Sequence, residues 1–256
     1  MTSHRAFVAL LSAALLTSCD KNAVQDIAGP VAESWIKFFN FGVNAPSVNF
    51  YANDAKLTAV VSATGTESAL GVAYGAAGSG GYYSALDPGQ YTLAGKISAT
   101  VDKDLAISTV NATLESGKNY SFYLSGFYNT TTKTAEGFVV EDPYPAEINY
   151  AQASVRLVNA ISNANAMQLF AKNTTTGVEV QVGGAVAYKS AGAFADLPGA
   201  VYDLSTRYAG STTVVISRTA VSFSAGKVYT ISARGDITVT STTATNRPFL
   251  DNTANR

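Results

Sequence analysis

Cysteine and histidine are almost absent from this sequence. Its 256 residues include one cysteine, Cys19, and one histidine, His4. A single cysteine excludes a disulfide bond within the chain. Nucleophilic catalysis by Cys–His or Ser–His–Asp groups needs an imidazole, and Cys/His zinc sites need several ligands of these two types. These classes of site are therefore excluded for a mature chain that has lost its first residues.

Charge is scarce and balanced. The 17 basic and 18 acidic residues give a formal net charge of −1, and charged residues make up 14% of the chain. The basic residues are scattered along the sequence and form no cluster of the kind that binds nucleic acid. Beyond the amino-terminal stretch, no segment approaches the roughly 20 uninterrupted apolar residues of a membrane-spanning helix. We expect neither a nucleic-acid partner nor a transmembrane anchor.

Residues 1–19 resemble a bacterial lipoprotein signal peptide. A short basic start, His4 and Arg5, precedes an apolar stretch over 6–16, and Leu-Thr-Ser leads into Cys19. This ending resembles a lipobox, which implies diacylglycerol on the Cys19 thiol, cleavage before Cys19 and acylation of the new amine. Two or three acyl chains hold a protein stably at a membrane, whereas one is marginal. The alternative is a plain secretory signal peptide with an incidental cysteine.

The lipid on Cys19 predicts a location in the bacterial cell envelope, with the membrane as a partner. We expect anchoring in the outer membrane or at the cell surface. Asp20 directly follows Cys19, which in enteric bacteria resembles a signal for inner-membrane retention. The periplasmic face is therefore the alternative.

The remainder of the sequence repeats itself at about a domain length. The segment 36–52 returns as 155–171, and Leu-Glu-Ser-Gly-Lys-Asn-Tyr ending at Tyr120 returns as Phe-Ser-Ala-Gly-Lys-Val-Tyr ending at Tyr229. Solenoid repeats are roughly 20–50 residues long, so this spacing indicates two copies of one folding unit. Function is then to be sought in a binding or spacer array before an active site.

Short runs rich in Val, Ile, Thr, Tyr and Phe alternate with Gly, Asn, Pro and Ser, which is typical of sandwiches and barrels. The predicted fold is all-β, with two tandem immunoglobulin-like antiparallel β-sandwich domains after the signal peptide. Part of the polar end is expected to pair with or cover a sheet edge, and its last residues are expected to fray. The predicted segments are a tether over 20–34, a first sandwich over 35–140, a linker with two prolines over 141–153, a second sandwich over 154–240 and a C-terminal tail over 241–256.

Two repeated motifs have a clear mechanical meaning. In Leu/Phe-x-x-Gly-x-x-Tyr, the tyrosines Tyr120 and Tyr229 are predicted to bury their rings and to bond upstream backbone, as in immunoglobulin tyrosine corners. The glycine allows the turn. A Pro-Gly turn precedes Tyr91 in one copy and Tyr202 in the other, and each turn is expected to lead into a long strand.

These motifs resemble a bacterial family called domain of unknown function 4397. Its members open with Arg-x-Val-(His/Asn)-Ala and Ala-Pro-x-Val-Asp-(Val)-Tyr, which resemble Lys-Phe-Phe-Asn ending at Asn40 with Ala-Pro-Ser-Val-Asn-Phe-Tyr ending at Tyr51. The same elements recur less closely over 156–170, and an Ala-Gly-x-x-Tyr-Thr element recurs at 225–230. The resemblance covers both copies and implies an extracytoplasmic sandwich. The family's acidic position is Asn49 in one copy and Gln168 in the other, and the family supplies no established catalytic residues.

Carboxylate chemistry is the enzymatic alternative that remains. Asp102 lies close to Asp104 in the sequence, and Glu141 is next to Asp142. The first pair resembles an exposed turn between strands, and the second lies in the predicted linker. Catalytic carboxylates are normally presented across a cleft by rigid elements, and calcium prefers a loop richer in oxygen ligands. We expect no enzyme activity, no cofactor and no metal.

The predicted function is a non-catalytic binding or structural module of the cell envelope, with an unknown envelope protein or a polysaccharide as partner. Glycan binding by exposed tyrosines is the alternative. Packing is the competing explanation for these aromatic rings. The tyrosines that flank loops or the linker, and so are the candidates for binding, are Tyr82, Tyr83, Tyr128, Tyr144 and Tyr150.

Overall fold

The computed structural model describes residues 33–58 and 70–255. The predicted signal peptide, Cys19 and the predicted tether up to residue 32 lie outside the described residues. The described ranges belong to a single compact unit. Within them the helical content is one 3-10 turn, Gly78–Gly81, and no helix is long and apolar enough to cross a membrane.

In the described part of the first copy, nine strands form a sandwich of two sheets. The first outer sheet has the order β3-β2-β6-β7, and the first inner sheet has the order β4-β1-β8-β9, with β5 also paired to β1. The strands are β1 (Ser34–Asn40), β2 (Val48–Ala52), β3 (Ala55–Lys56), β4 (Ala76–Ala77), β5 (Ser84–Leu86), β6 (Gly89–Ile97), β7 (Ala106–Leu114), β8 (Asn119–Asn129) and β9 (Thr134–Glu141).

The second copy repeats this arrangement. Its inner sheet has the order β13-β10-β17-β18, with β14 also paired to β10, and its outer sheet has the order β12-β11-β15-β16. The strands are β10 (Gln152–Asn159), β11 (Met167–Asn173), β12 (Glu179–Val186), β13 (Ser190–Ala191), β14 (Ala195–Pro198), β15 (Ala200–Tyr208), β16 (Val214–Phe223), β17 (Val228–Arg234) and β18 (Phe249–Ala254). The protein is therefore all-β, with two β-sandwiches in tandem.

Two features differ in detail from the sequence prediction. Most strand pairs are antiparallel, as predicted, but β1 pairs with β8 and β10 pairs with β17 in parallel. Parallel neighbours need a long connection, and each first strand is separated from its partner by nearly a whole copy. The second sandwich also extends beyond residue 240, because β18 lies within the predicted tail and forms an antiparallel pair with β17.

Tyrosines fasten the turns in both copies. The hydroxyl of Tyr120 accepts a hydrogen bond from the backbone N–H of Glu115 at 3.1 Å, and that of Tyr229 accepts one from Ser224 at 3.0 Å. Both rings are buried. At the Pro-Gly turns, Tyr91 donates a further hydrogen bond to a carbonyl four residues upstream at 2.8 Å, and Tyr202 does the same at 2.8 Å.

The two inner sheets face each other, so the body has four layers. In β1, Ile36 and Phe38 belong to the core of the first copy, whereas Phe39 belongs to a third cluster shared with Val158 of β10. Among the described residues, the buried members of this shared cluster are Phe39, Phe41, Tyr123, Phe138, Val158 and Ala160. Because both faces of β1 and β10 are covered, these strands are apolar at consecutive positions instead of alternating.

Candidate binding site at the junction of the two copies

The five tyrosines proposed from the sequence do not form one platform. Tyr82 and Tyr150 are exposed, at 78% and 81%. Tyr83, Tyr128 and Tyr144 are half-buried instead of exposed, because Tyr128 packs against the core of the first copy and the other two pack on each other. The rings of Tyr83 and Tyr144 meet at 77°, and their hydroxyls are hydrogen-bonded. Their role in binding stays a prediction.

A buried ion pair connects the two copies. Arg156 of β10 binds Asp142, which directly follows β9, and each side chain is 1% exposed. The guanidinium also donates to the carbonyl of Glu141 at 2.9 Å and to the hydroxyl of Thr230 at 3.2 Å. Burial raises the pKa of Asp142, while the charge of Arg156 acts in the opposite direction. The second residue of the predicted linker is therefore fixed inside the junction.

Hydroxyl groups complete the shell of Asp142. Its second carboxylate oxygen accepts hydrogen bonds from Tyr83 at 2.7 Å and Ser121 at 2.8 Å. A buried ion pair is stable only when its remaining hydrogen-bonding groups are satisfied. The Asp142 carboxylate meets that condition through residues of the first copy.

Lys37 of β1 is a second buried cation at the junction. It is 2% exposed, its ammonium donates to the side-chain oxygen of Asn255 at 3.1 Å, and it lies 4.2 Å from the centroid of the Tyr83 ring. Desolvation lowers the pKa of Lys37 to about 8; Asp142 opposes this shift and Arg156 adds to it. This cation therefore has a neutral amide as partner where Arg156 has a carboxylate.

The two basic residues occupy equivalent positions. The parallel register aligns Ile36 with Tyr120 and Val155 with Tyr229, so Lys37 and Arg156 correspond. The next register aligns Tyr120 with Glu141 in one copy and Tyr229 with Ala254 in the other. Asp142 and Asn255 therefore correspond as well.

Each cation thus binds the residue that directly follows the last strand of the other copy. The correspondence extends to the aromatic rings. Arg156 lies 4.8 Å from the ring centroid of Phe194, and Lys37 lies over the ring of Tyr83 in the same way. Exchange of the two copies turns one set of contacts into the other. The junction is therefore an approximately two-fold arrangement in which one side carries a full ion pair.

A cleft opens beside Lys37. It has a volume of about 650 Å³ and takes its walls from both copies. Tyr82 stands exposed at its rim, and the side-chain oxygen of Asn252 is buried there without a hydrogen-bond partner among the described residues. The lining residues are Lys37, Ala77, Gly80, Gly81, Tyr82, Tyr83, Ser224, Lys227, Tyr229, Asn252, Thr253, Ala254 and Asn255. A buried cation, an unused acceptor and aromatic rings at one place suit a polar ligand.

The carboxylate pairs considered from the sequence are occupied elsewhere. Asp102 forms a salt bridge with Lys133 at 2.6 Å, and Asp104 accepts a hydrogen bond from Tyr51 at 3.2 Å. Asp142 is bound to Arg156, and Glu141 pairs with Lys118 at 3.1 Å. Within the described ranges no three His, Cys, Asp or Glu residues are grouped in a way that suits a metal ion.

One family model matches this chain. It is described as Domain of unknown function (DUF4397), and it matches residues 34–170, which is more than half of the chain. The chain belongs to this family. The match begins at β1 and ends in β11, inside the second copy. No curated protein matches the chain.

One solved structure that resembles this DUF4397 chain is titled "The Bacillus anthracis TIE protein". The identity is 13% and the TM-score is 0.23, over 79% of this chain and 34% of that chain. The present chain therefore corresponds to about a third of the length of that structure. At this level the likeness carries no argument about function.

Sequence reasoning missed the junction residues, although the repeat contained a signal for them. Lys37 and Arg156 are each the single charged residue of their strand and stand between two apolar residues, at the same place in both copies. A charge at such a position indicates a partner on the second covered face of the strand. The partners Asp142 and Asn255 carry no comparable signal, because each directly follows a strand and binds a cation of the other copy.

Proposed function

We propose that this protein is a lipid-anchored component of the bacterial cell envelope that acts as a non-catalytic binding or structural module. The observation that supports it best is the cleft beside Lys37, whose walls come from both copies. Cross-copy contacts of Arg156 and Lys37 hold those walls in place. Binding sites are usually preformed concave surfaces with few convergent polar groups, and this cleft has that character.

A non-catalytic role agrees with how the charged groups are used. The carboxylate of Asp142 faces a guanidinium and two hydroxyls, so it has no free side toward a substrate. Lys37 lies between the ring of Tyr83 and the amide of Asn255. These contacts hold the two copies together and are structural in character.

We further propose that the second sandwich is a second copy of the DUF4397 domain. The order of strands is the same in both sandwiches, and the tyrosine bonds recur at Tyr120 and Tyr229. In a duplicated sandwich, equivalent surfaces of the two copies meet at the junction. Lys37 of the first copy therefore contacts the second copy, and Arg156 of the second copy contacts the first.

The lipid anchor is tested by metabolic labelling. Cells that express the full chain are grown with an alkyne-bearing fatty acid, and the protein is isolated and probed for the label. We expect label on the wild-type chain and none on the Cys19→Ala variant. An unlabelled wild-type chain at normal abundance would remove the anchor from the proposal.

The binding role is tested by crosslinking on intact cells, followed by isolation of the full chain. Tyr82→Ala removes the exposed ring at the rim of the cleft, and Tyr150→Ala removes a ring that is equally exposed elsewhere. We expect a partner that is lost with Tyr82→Ala and retained with Tyr150→Ala. Equal recovery with both variants would place the contact outside the cleft, and turnover of a substrate abolished by carboxylate substitutions would contradict the non-catalytic role.

Glycan recognition is the alternative form of this binding role. Tyr82 and Tyr83 both line the cleft, beside side chains that suit sugar hydroxyls, such as Asn252 and Ser224. The alternative predicts a glycan-array signal that disappears in Tyr82→Ala. A purely structural component would give no signal.

A further inference from the structure

Three guanidinium groups surround the ring of Phe249 at the start of β18. The guanidinium carbons of Arg218 and Arg234 each lie 5.2 Å from the ring centroid, and that of Arg247 lies at 5.3 Å. The chain has seven arginines in all. Residues that are scattered in the sequence are therefore concentrated at one place by the fold.

The positive charge of this cluster exceeds its negative charge. Arg234 is paired with Asp251. Arg218 donates to the carbonyl of Leu250 at 2.6 Å, and Arg247 donates to that of Ala244 at 3.1 Å; within 33–58 and 70–255 neither of the two forms a salt bridge. Arg218 and Arg247 both lie within 5.3 Å of the same ring centroid, so two positive charges without a salt bridge are concentrated in one region, and like charges repel each other. An anion bound between Arg218 and Arg247 would relieve that repulsion.

A cleft of about 720 Å³ opens above the two unpaired guanidiniums. It lies where the edge strand β16 and the start of β18 approach each other, and the segment between β17 and β18 forms its other wall. Hydroxyl side chains line it beside the arginines, namely those of Ser217, Thr219, Thr240, Ser241 and Thr242. Guanidinium forks match the geometry of carboxylates and other oxyanions, and hydroxyls suit the uncharged part of a sugar.

The first copy lacks these groups at the corresponding edge. The register places Val110 opposite Leu93 in the first copy, where Arg218 lies opposite Leu204 in the second. Arg234 and Phe249 form the pair that corresponds to Ser125 and Glu136. The duplicated fold therefore does not require the arginine cluster, and the cluster is a property of the second copy.

We propose that this cleft, which we call the arginine cleft, binds the carboxylate groups of an acidic polysaccharide. Arg218 and Arg247 hold the carboxylate, and the hydroxyl side chains contact the sugar ring. A lipid surface fits less well, because none of the exposed large hydrophobic side chains of the described residues lines this cleft. The arginine cleft shares no lining residue with the cleft beside Lys37, so it goes beyond the proposed function.

Isothermal titration calorimetry of the full chain tests this site. The probes are an oligogalacturonate, a neutral maltooligosaccharide of the same length, and vesicles of phosphatidylcholine with phosphatidylglycerol. We expect binding of the oligogalacturonate alone, weakened by added salt. Arg218→Gln and Arg247→Gln should each weaken it by about tenfold or more, since each removes a charge-assisted hydrogen bond.

Arg207→Gln provides the matched control. It makes the same substitution at a guanidinium that is paired with Glu179 in the second outer sheet, and it should leave the affinity unchanged. The proposal is overturned by equal binding of the neutral oligosaccharide, by binding of vesicles without oligogalacturonate, by unchanged affinity in both cleft variants, or by no binding at all.

A second measurement remains informative even if the variants are less stable than the wild type. Sulfate, compared with chloride at equal ionic strength, should raise the melting temperature of the wild-type chain, because a ligand that binds the folded state stabilises it. The increment should be smaller in Arg218→Gln relative to that variant's own melting temperature in chloride. An equal increment in wild type, Arg218→Gln and Arg207→Gln would contradict the site. Loss of a partner in Tyr82→Ala bears on the other cleft alone, so the two proposals can fail separately.

Discussion

The hydroxyls of Tyr123 and Ser232 meet at 3.3 Å between the two inner sheets. The registers align Phe39 with Tyr123 and Val158 with Ser232, so the two residues hold the same position in their copies. Their contact therefore lies on the approximate two-fold axis that relates the two copies. Tyr123 is also stacked on Phe39 at 4.7 Å and on Phe138 at 5.1 Å between ring centroids. The first copy supplies most of the aromatic volume, and the second supplies small side chains that accommodate it.

The first prediction concerns the buried ion pair. Asp142→Ala leaves the guanidinium of Arg156, which is 1% exposed, without its carboxylate. Breaking one partner of a buried pair typically costs about 3–5 kcal/mol. We expect a loss of that order in the free energy of unfolding, measured by urea denaturation monitored through tyrosine fluorescence.

Another ion pair between the copies provides the control. Lys189 and Glu136 lie 2.5 Å apart, but their side chains are 40% and 49% exposed. Exposed pairs contribute about 0–1 kcal/mol, so Glu136→Gln should have little effect. If the two variants lose similar amounts, the junction is open to water at Asp142.

The second prediction is a pH dependence that arises from Lys37. Its pKa is about 8 in the folded chain, against a usual value of 10.5. Between these values the unfolded chain holds the proton and the folded chain does not, so the free energy of unfolding rises with pH across this window. Below pH 8 both states are protonated, and the full cost of burying the charge is present.

Lys37→Met removes this dependence and keeps the packing volume. The variant should be more stable than the wild type at pH 7, and the difference should shrink towards pH 10.5, by an amount on the order of 3 kcal/mol. Denaturation at a series of pH values, compared between the two chains, measures it. The difference between the two chains also removes the contribution of tyrosines to the pH dependence, because both chains contain them. One such tyrosine is Tyr188, whose pKa is raised to about 12 by burial. A constant difference across the window would show that the Lys37 ammonium reaches water.

The sequence was sufficient to predict the sandwich class because its signals are local. Pro-Gly turns, a glycine three residues before Tyr120 or Tyr229, and runs of β-branched residues all report on neighbours along the chain. The long strands after the Pro-Gly turns, β6 and β15, were predicted in this way.

The junction was missed because its evidence is distributed over the whole chain. Lys37 and Asn255 are 218 residues apart, and no local pattern connects them. β18 has no strong alternation, since its sequence is Phe-Leu-Asp-Asn-Thr-Ala, and it is defined by pairing with β17. The arginine cleft was missed for the same reason, since Arg218 and Arg247 belong to different segments.

The third prediction concerns the tyrosine corners. Tyr120→Phe and Tyr229→Phe each leave one backbone N–H without its acceptor, that of Glu115 or of Ser224. Each should lose about 1 kcal/mol of unfolding free energy. The corners belong to separate cores, so we expect the double variant to lose the sum. A double variant that loses no more than one single variant would show that the two corners are not independent supports.

The fourth prediction separates two reasons for a glycine. Gly117 and Gly235 both have positive φ, 76° and 109°. A Cβ on Gly117 would meet nothing within 4 Å, whereas one on Gly235 would overlap the carbonyl of Arg247. Gly117→Ala should therefore lower the free energy of unfolding only by the backbone strain, about 1–2 kcal/mol.

Gly235→Ala should cost more than Gly117→Ala, because the segment that carries Arg247 has to move. It should also weaken oligogalacturonate binding at temperatures where the variant is folded, since that movement displaces one guanidinium of the arginine cleft. Gly117→Ala, which lies in the first copy, should leave binding unchanged. Thermal denaturation measures the first effect and calorimetry the second. If Gly235→Ala is destabilised and yet binds oligogalacturonate with full affinity, Arg247 is not one of the groups that hold the carboxylate.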